Sequence, residues 1–127
     1  MTDYVIDASA FLAIIGAEIG ADVASARIAG ASMSAVNASE ALMRGVEKGA
    51  PLELMLEFLA AQDVRLVSFD AELAVTAASL RPATKKAGLS FADRACIATA
   101  IARKATVVTA DRIWATLDLG CPVELIR

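Results

Sequence analysis

The sequence predicts an α/β fold built on a parallel sheet covered on both faces. Two observations carry that prediction. Short apolar runs alternate with helix-favouring stretches along all 127 residues. Capping residues or glycines punctuate most of the joins between them. No Ser/Gly-rich linker, repeat or low-complexity block intervenes, so one domain over 1–127 is expected.

The elements follow in order. Tyr4-Val5-Ile6 reads as a buried first strand. Ala10 to Ile15 is apolar and helix-favouring, with Ser9 expected as its N-cap. A second helix is expected over 21–29, stopping at Gly30. Ser32-Met33 is a very short strand, and Ser34 caps a helix over 35–48 that Gly49 closes. Pro51 opens a further helix with Leu52, Leu56 and Leu59 on one face. Arg65 to Ser68 is a strand, and Asp70 caps a helix to Leu80. The stretch 81–89, with Pro82, Gly88 and Lys85-Lys86, reads as a loop. Ser90 caps a long helix to Lys104, and Thr106 to Thr109 is a strand. Asp111 begins a short helix with Trp114, and Val123 to Ile126 is the last strand.

Composition narrows the chemistry. The chain has no histidine, which removes imidazole bases, Ser-His-Asp triads and ordinary zinc sites together. Net charge is -3, which argues against a protein that coats nucleic acid nonspecifically. Hydrophobic residues make up 57% with only 5% aromatic, so the core is expected to be closely packed small aliphatic side chains. Cys96 and Cys121 are far apart and read as buried thiols. The longest apolar stretch is too short to span a bilayer, and the start lacks the basic segment of a signal peptide. A soluble, cytoplasmic protein without membrane association is expected.

Ligands of parallel sheets bind beyond the carboxyl ends of the strands, where strand order switches. Asp7 and Asp111 fall just after predicted strands, while Glu40 and Asp93 lie in the first two turns of predicted helices. All four carboxylates can therefore face one cleft. Each also has a plainer reading: Asp7 and Asp111 as helix caps, Ser90 with Asp93 as a capping box, and Glu40 as a solvated helix residue. Asp70 reads as a cap. Glu40, Asp93 and Asp7 nonetheless have small or apolar neighbours, poor settings for solvated charge. Two carboxylates about 4 Å apart repel by roughly 4 kcal/mol at an effective dielectric of about 20. A divalent cation relieves that repulsion, and all-oxygen ligation selects Mg²⁺ or Mn²⁺.

These segments resemble known motifs. Val5-Ile6-Asp7-Ala8-Ser9-Ala10, Ser34 to Glu40, Gly88 to Arg94 and Val107 to Arg112 are similar, in order, to the four acidic motifs of PIN-domain ribonucleases. Within that family the chain resembles VapC-type toxins of bacterial type II toxin–antitoxin pairs, and the resemblance spans essentially the whole chain. It implies a three-layer PIN-like fold with a five-stranded parallel sheet flanked by helices, the first and fourth strands adjacent. It implies a Mg²⁺- or Mn²⁺-dependent endoribonuclease that cleaves RNA with a metal-activated water. The metal ligands it implies are Asp7, Glu40 and Asp93, with Asp111 as a further ligand or as an acceptor acting through water. It also implies a homodimer and inhibition by a cognate VapB-type antitoxin.

Other residues can support that chemistry. Ser9, Asn37 and Thr109 lie beside the acids and can orient a carboxylate, a water or a phosphate, or simply bond locally. Arg44, Lys85, Lys86, Arg94 and Arg112 are candidates for RNA phosphates, or ordinary surface charges. Trp114 and Phe91 are expected in the core. Leu12, Ile15, Leu52, Met55, Leu56 and Leu59 are core residues or part of a dimer or antitoxin surface. The competing readings are a non-catalytic PIN-like domain that binds RNA or protein, and a phospho-acceptor receiver domain. The latter lacks its paired acids after strand one and its lysine after a late strand.

Overall fold

The structure is a computed structural model, and it describes residues 2–127. Five strands, β1 (Tyr4–Ile6), β2 (Ser32–Ser34), β3 (Arg65–Val67), β4 (Thr106–Thr109) and β5 (Val123–Leu125), form one sheet in the order β3-β2-β1-β4-β5. Every pairing is parallel. The helices are α1 (Ala8–Ile15), α2 (Ala21–Ile28), α3 (Ala35–Glu47), α4 (Leu52–Ala61), α5 (Ala71–Ser79), α6 (Arg81–Thr84) and α7 (Phe91–Arg103). A 3-10 helix over Arg112–Thr116 joins β4 to β5. The expected five-stranded α/β architecture is present, with β1 and β4 adjacent in the register Ile6 to Val108.

Strand order explains the layers. From β1 the chain steps outward to β2 and β3, then returns across the sheet to β4 on the far side of β1. Right-handed crossovers in opposite directions put their helices on opposite faces. Two core clusters match this. Ile6, Met33 and Val108 pack with Phe11, Ile28, Ala38 and Met55 of α1 to α4. Val5 and Val107 pack with Cys96, Ile97 and Trp114 on the other face. Val5 and Ile6 are sequence neighbours on opposite faces, the two-residue period of a strand. The alanine excess is used in α7, where Ala92, Ala95, Ala98 and Ala100 are buried and Ala98 meets Ala77 of α5. Side chains this small let two helices approach closely.

Several boundaries differ from the sequence reading. α1 starts at Ala8, and Asp7 rather than Ser9 is its cap. Both residues are good caps, but only Asp7 has the extended backbone that aims its carboxylate at the Ala10 N–H. Residues 81–89 hold a single helical turn, α6, with Pro82 in its first turn. In α4 the buried pair is Met55 and Leu59, while Leu52 and Leu56 are exposed. That helix is apolar nearly all round, so periodicity could not choose its inner face. Trp114 and Cys96 are fully buried as expected, whereas Cys121 is only partly buried and Phe91 is 50% exposed. Gly20 opens α2 at φ +94°, and a Cβ there would sit 2.6 Å from the Ile126 carbonyl oxygen. Only glycine meets both conditions. Among the described residues, no helix is long and apolar enough to cross a membrane.

Candidate active site

The switch in strand order lies between β1 and β4, and Asp7 stands at its carboxyl edge. Its backbone N–H continues the ladder to the Val108 carbonyl at 3.1 Å, which fixes where its side chain begins. The carboxylate is held by three donors. Oδ1 accepts from the Ala10 N–H at 2.8 Å and from the Ser9 hydroxyl at 2.7 Å. Oδ2 accepts from the Thr109 hydroxyl at 2.5 Å. The Ser9 hydroxyl in turn accepts from the Ala110 N–H at 2.9 Å, and Thr109 accepts from the Asp111 N–H at 3.0 Å. Each hydroxyl therefore relays a backbone N–H from the end of β4 onto Asp7. A carboxylate has about four lone-pair sites, so one direction on Oδ2 stays free.

Asp7 is buried, and this governs its ionisation. Desolvation pushes its carboxyl from 3.8 up to about 6, against the lowering effect of the Thr109, Ser9 and Ala10 hydrogen bonds. The negative charge of Asp93 raises it further. The site thus holds an anion that the surrounding donors only partly compensate.

The other acids come from separate segments. Ser34 caps α3, and Glu40 projects from its second turn half-buried. Arg44, one turn on, reaches the Glu40 carboxylate at 3.6 Å. The i,i+4 spacing announces that pair in the sequence, but the residue read there as a phosphate contact is first a partner of the acid. Asp93 closes a capping box at the start of α7: the Ser90 N–H donates to Asp93 Oδ2 at 2.8 Å, and the Asp93 N–H donates to the Ser90 hydroxyl at 3.1 Å. Asp111 caps the 3-10 helix by accepting from the Ile113 N–H at 3.2 Å. Capping and facing the pocket are therefore not alternatives for Asp7, Asp93 and Asp111. Each cap holds a carboxylate at the sheet's carboxyl edge.

One cavity of about 300 Å³ is lined by Asp7, Glu40, Asp93 and Asp111, together with Ala8, Ser9, Asn37, Arg44 and Ser90. Asn37 is buried and acts as a clamp. Its Oδ1 accepts from the Ala8 N–H at 3.2 Å, and its amide N–H donates to the Ala92 carbonyl at 2.7 Å. It thereby ties the first turn of α1 to the first turn of α7, the segments that carry Asp7 and Asp93.

The cations read as RNA contacts divide. Arg44 lines the cavity. Arg94 turns away, donating to the Ala77 carbonyl of α5 at 3.3 Å, because α7 places it on the flank packed against that helix. Lys85, Lys86 and Arg112 are exposed and outside the cavity lining.

Asp93→Asn is expected to keep the fold. The amide oxygen still accepts from the Ser90 N–H, so only the charge at the start of α7 is lost, about 0.3–1 kcal/mol. Thermal unfolding in EDTA checks this. A loss of several kcal/mol would make Asp93 mainly a structural cap.

The PIN domain family model matches residues 4–119. A search of the curated proteins found no match. Among solved structures, a toxin–antitoxin complex from Klebsiella pneumoniae superposes with a TM-score of 0.77 at 15% identity, covering 98% of both chains. VapBC2 from Rickettsia felis, bound to a DNA fragment from its promoter, gives 0.72 at 18% identity, with 97% of this chain and 98% of that chain covered. VapBC-5 from Mycobacterium tuberculosis is 26% identical with a TM-score of 0.62, over 100% and 99% of the two chains. The family match takes in all four acids of the cavity, and the chain belongs to the PIN domain family.

Proposed function

We propose that this protein is a divalent-cation-dependent endoribonuclease and the toxin of a VapBC-type toxin–antitoxin pair. The observation that carries the catalytic half is the cavity at the strand switch, which carboxylates from four chain segments line. The donor set suits Mg²⁺ or Mn²⁺: it is all oxygen, and the chain has no histidine. As placed, no three acidic or thiol side chains among the described residues are gathered closely enough to enclose an ion. Asp7 is fixed by three hydrogen bonds and Asp93 by its cap, so gathering the ligands around a cation would fall to Glu40, half-buried on a longer side chain and turning from Arg44. Asp7, Glu40 and Asp93 would hold the cation, with Asp111 as a further ligand or an acceptor through water. When bound, such an ion lowers the pKa of water and offsets charge on the scissile phosphate.

The chain's own residues supply the rest. Ser9 and Thr109 hold the Asp7 carboxylate in one orientation. Asn37 fixes the spacing between the Asp7 and Asp93 segments. Arg44 brings a positive charge to the cavity wall, where a phosphate can meet it.

The partner half of the proposal rests on the toxin–antitoxin complexes among the structural neighbours and on exposed apolar surface. Met43, Val46 and Leu52 of α3 and α4 are exposed around a groove of about 370 Å³. A groove of that kind takes an apolar helix or strand of an antitoxin, or a second copy of the chain.

Product chemistry tests the catalytic half. Purified protein free of antitoxin, incubated with total RNA and Mn²⁺ or Mg²⁺, is expected to leave 5′-phosphate and 3′-hydroxyl ends. Such ends are ligatable without phosphatase treatment. EDTA is expected to stop cleavage. Ends with a 2′,3′-cyclic phosphate would show the 2′-hydroxyl as nucleophile and reject attack by water. No cleavage of any RNA would favour a PIN-like domain that binds without cutting.

A further inference from the structure

Phe91 is the one exposed aromatic residue among those described. Phe11 and Trp114 are fully buried, and Tyr4, Phe58 and Phe69 are partly buried, whereas Phe91 leaves 50% of its surface in water. Exposing a large ring gives up hydrophobic stabilisation that folding alone would recover. Its position is also particular. Phe91 is the first residue of α7, between Ser90, which lines the acidic cavity and caps the helix, and Asp93, two residues on.

The ring is braced. Phe69 and Phe91 pack edge-to-face, with ring centroids 5.3 Å apart and planes at 87°. Phe69 comes just after β3, at the same carboxyl edge of the sheet that carries Asp7 beyond β1 and Asp111 beyond β4. The two phenylalanines therefore extend the edge beyond the cavity towards β3. An edge-to-face partner covers at most one face of a ring, so at least one face of Phe91 is left by Phe69 for a third flat group.

We propose that Phe91, held by Phe69, is a stacking platform for an unpaired RNA base next to the scissile phosphate. The inference rests on the ribonuclease reading above and adds a base subsite to it. Proteins take single-stranded RNA by stacking bases on aromatic rings, and every base offers a flat face. Phosphate at the carboxylate cavity and a base on Phe91 are complementary contacts: the first places the reacting group, the second fixes which phosphate arrives there. Phe91 is exposed rather than in the expected core, and an apolar residue in the first turn of a mostly apolar helix gives no sign of its outward direction.

The test uses full-length protein carrying Asp7→Asn to silence cleavage. Its probe is a fluorescent single-stranded oligoribonucleotide of mixed sequence, with an abasic oligomer of equal length as control, both read by anisotropy. Adding Phe91→Ala is expected to weaken binding of the mixed-sequence RNA roughly 5- to 150-fold. Binding of the abasic oligomer is expected to stay unchanged. Phe91→Trp is expected to restore binding, and Phe91→Leu, apolar but not flat, is not. Equal affinity of Phe91→Ala and its parent for the mixed-sequence RNA would overturn the platform alone. A change in oligomeric mass with Phe91→Ala would instead make the ring an interface between copies, also overturning it. Failure of the unsubstituted protein to cut or bind any RNA would remove the ribonuclease reading and the platform with it.

Discussion

Asp7→Asn is expected to abolish RNA cleavage and, at neutral pH in EDTA, to make the protein more stable than the wild type. The first effect follows from removing a charged oxygen from the centre of the acidic cavity. Losing even a supporting contact at a metal site costs about 10–100-fold, and a ligand is expected to cost at least about 100-fold. The second follows from burial. A carboxyl raised from 3.8 to about 6 on folding corresponds to roughly 3 kcal/mol of destabilisation once it is ionised. The sign is fixed by proton counting. Between pH 3.8 and about 6 the folded protein holds a proton on Asp7 that the unfolded chain has released, so stability falls as pH rises through that window. Above it the full penalty remains.

Asparagine removes the charge and still accepts from the Ala10 N–H, though it disturbs the Ser9 and Thr109 bonds. A net gain of about 1–2 kcal/mol is therefore expected at pH 7. The gap between variant and wild type should open from pH 3.8 to about 6 and then stay constant. Denaturant melts in EDTA across that range measure it. Mn²⁺ is expected to close the gap by stabilising the wild type and not the variant. A variant less stable than wild type at pH 7 would show that the cap and hydroxyl contacts outweigh the buried charge.

Asn37→Ala is expected to act in the opposite way, costing both stability and activity. The amide is buried, and its two bonds join the Ala8 N–H to the Ala92 carbonyl across separate helices. Truncation leaves both groups without that partner and opens a small void. The combined cost is about 2–4 kcal/mol, equivalent to a drop in Tm on the order of 10 °C. Cleavage at a temperature where the variant remains folded is expected to fall as well, because the segments carrying Asp7 and Asp93 lose their tie. An unchanged melt would show that the helices hold their spacing by apolar packing alone. An unchanged rate in folded protein would free Asn37 of any positioning role.

Much of this was legible in the sequence because local chemistry and tertiary position coincide at strand ends. Alternation of apolar runs with capped helices gives the parallel sheet, and the acids stand where such sheets place ligands. Asp7, Asp93 and Asp111 illustrate why their capping signals misled as alternatives: the same carboxylate that satisfies a helix N-terminus also faces the cavity. What stayed hidden depended on contacts between distant segments. The relay from Thr109 to Asp7 spans 102 positions, and the Asn37 bond to Ala92 spans 55. The inner face of α4 and the outward ring of Phe91 were hidden for another reason. Both lie in helices with apolar residues on several sides, where no period selects the buried one.

Single-turnover cleavage of total RNA with Mn²⁺, comparing wild type with Asp7→Asn, Glu40→Gln, Asp93→Asn and Asp111→Asn, each shown by melting to be folded, measures whether the carboxylates of this one cavity cut RNA with a divalent cation. A loss of at least about 100-fold is expected for Asp7, Glu40 and Asp93, with a smaller loss for Asp111 and no wild-type activity in EDTA. Cleavage by Asp7→Asn and Asp93→Asn at the wild-type rate would remove the cavity as the cleavage site, and wild-type cleavage that survives EDTA would remove the cation.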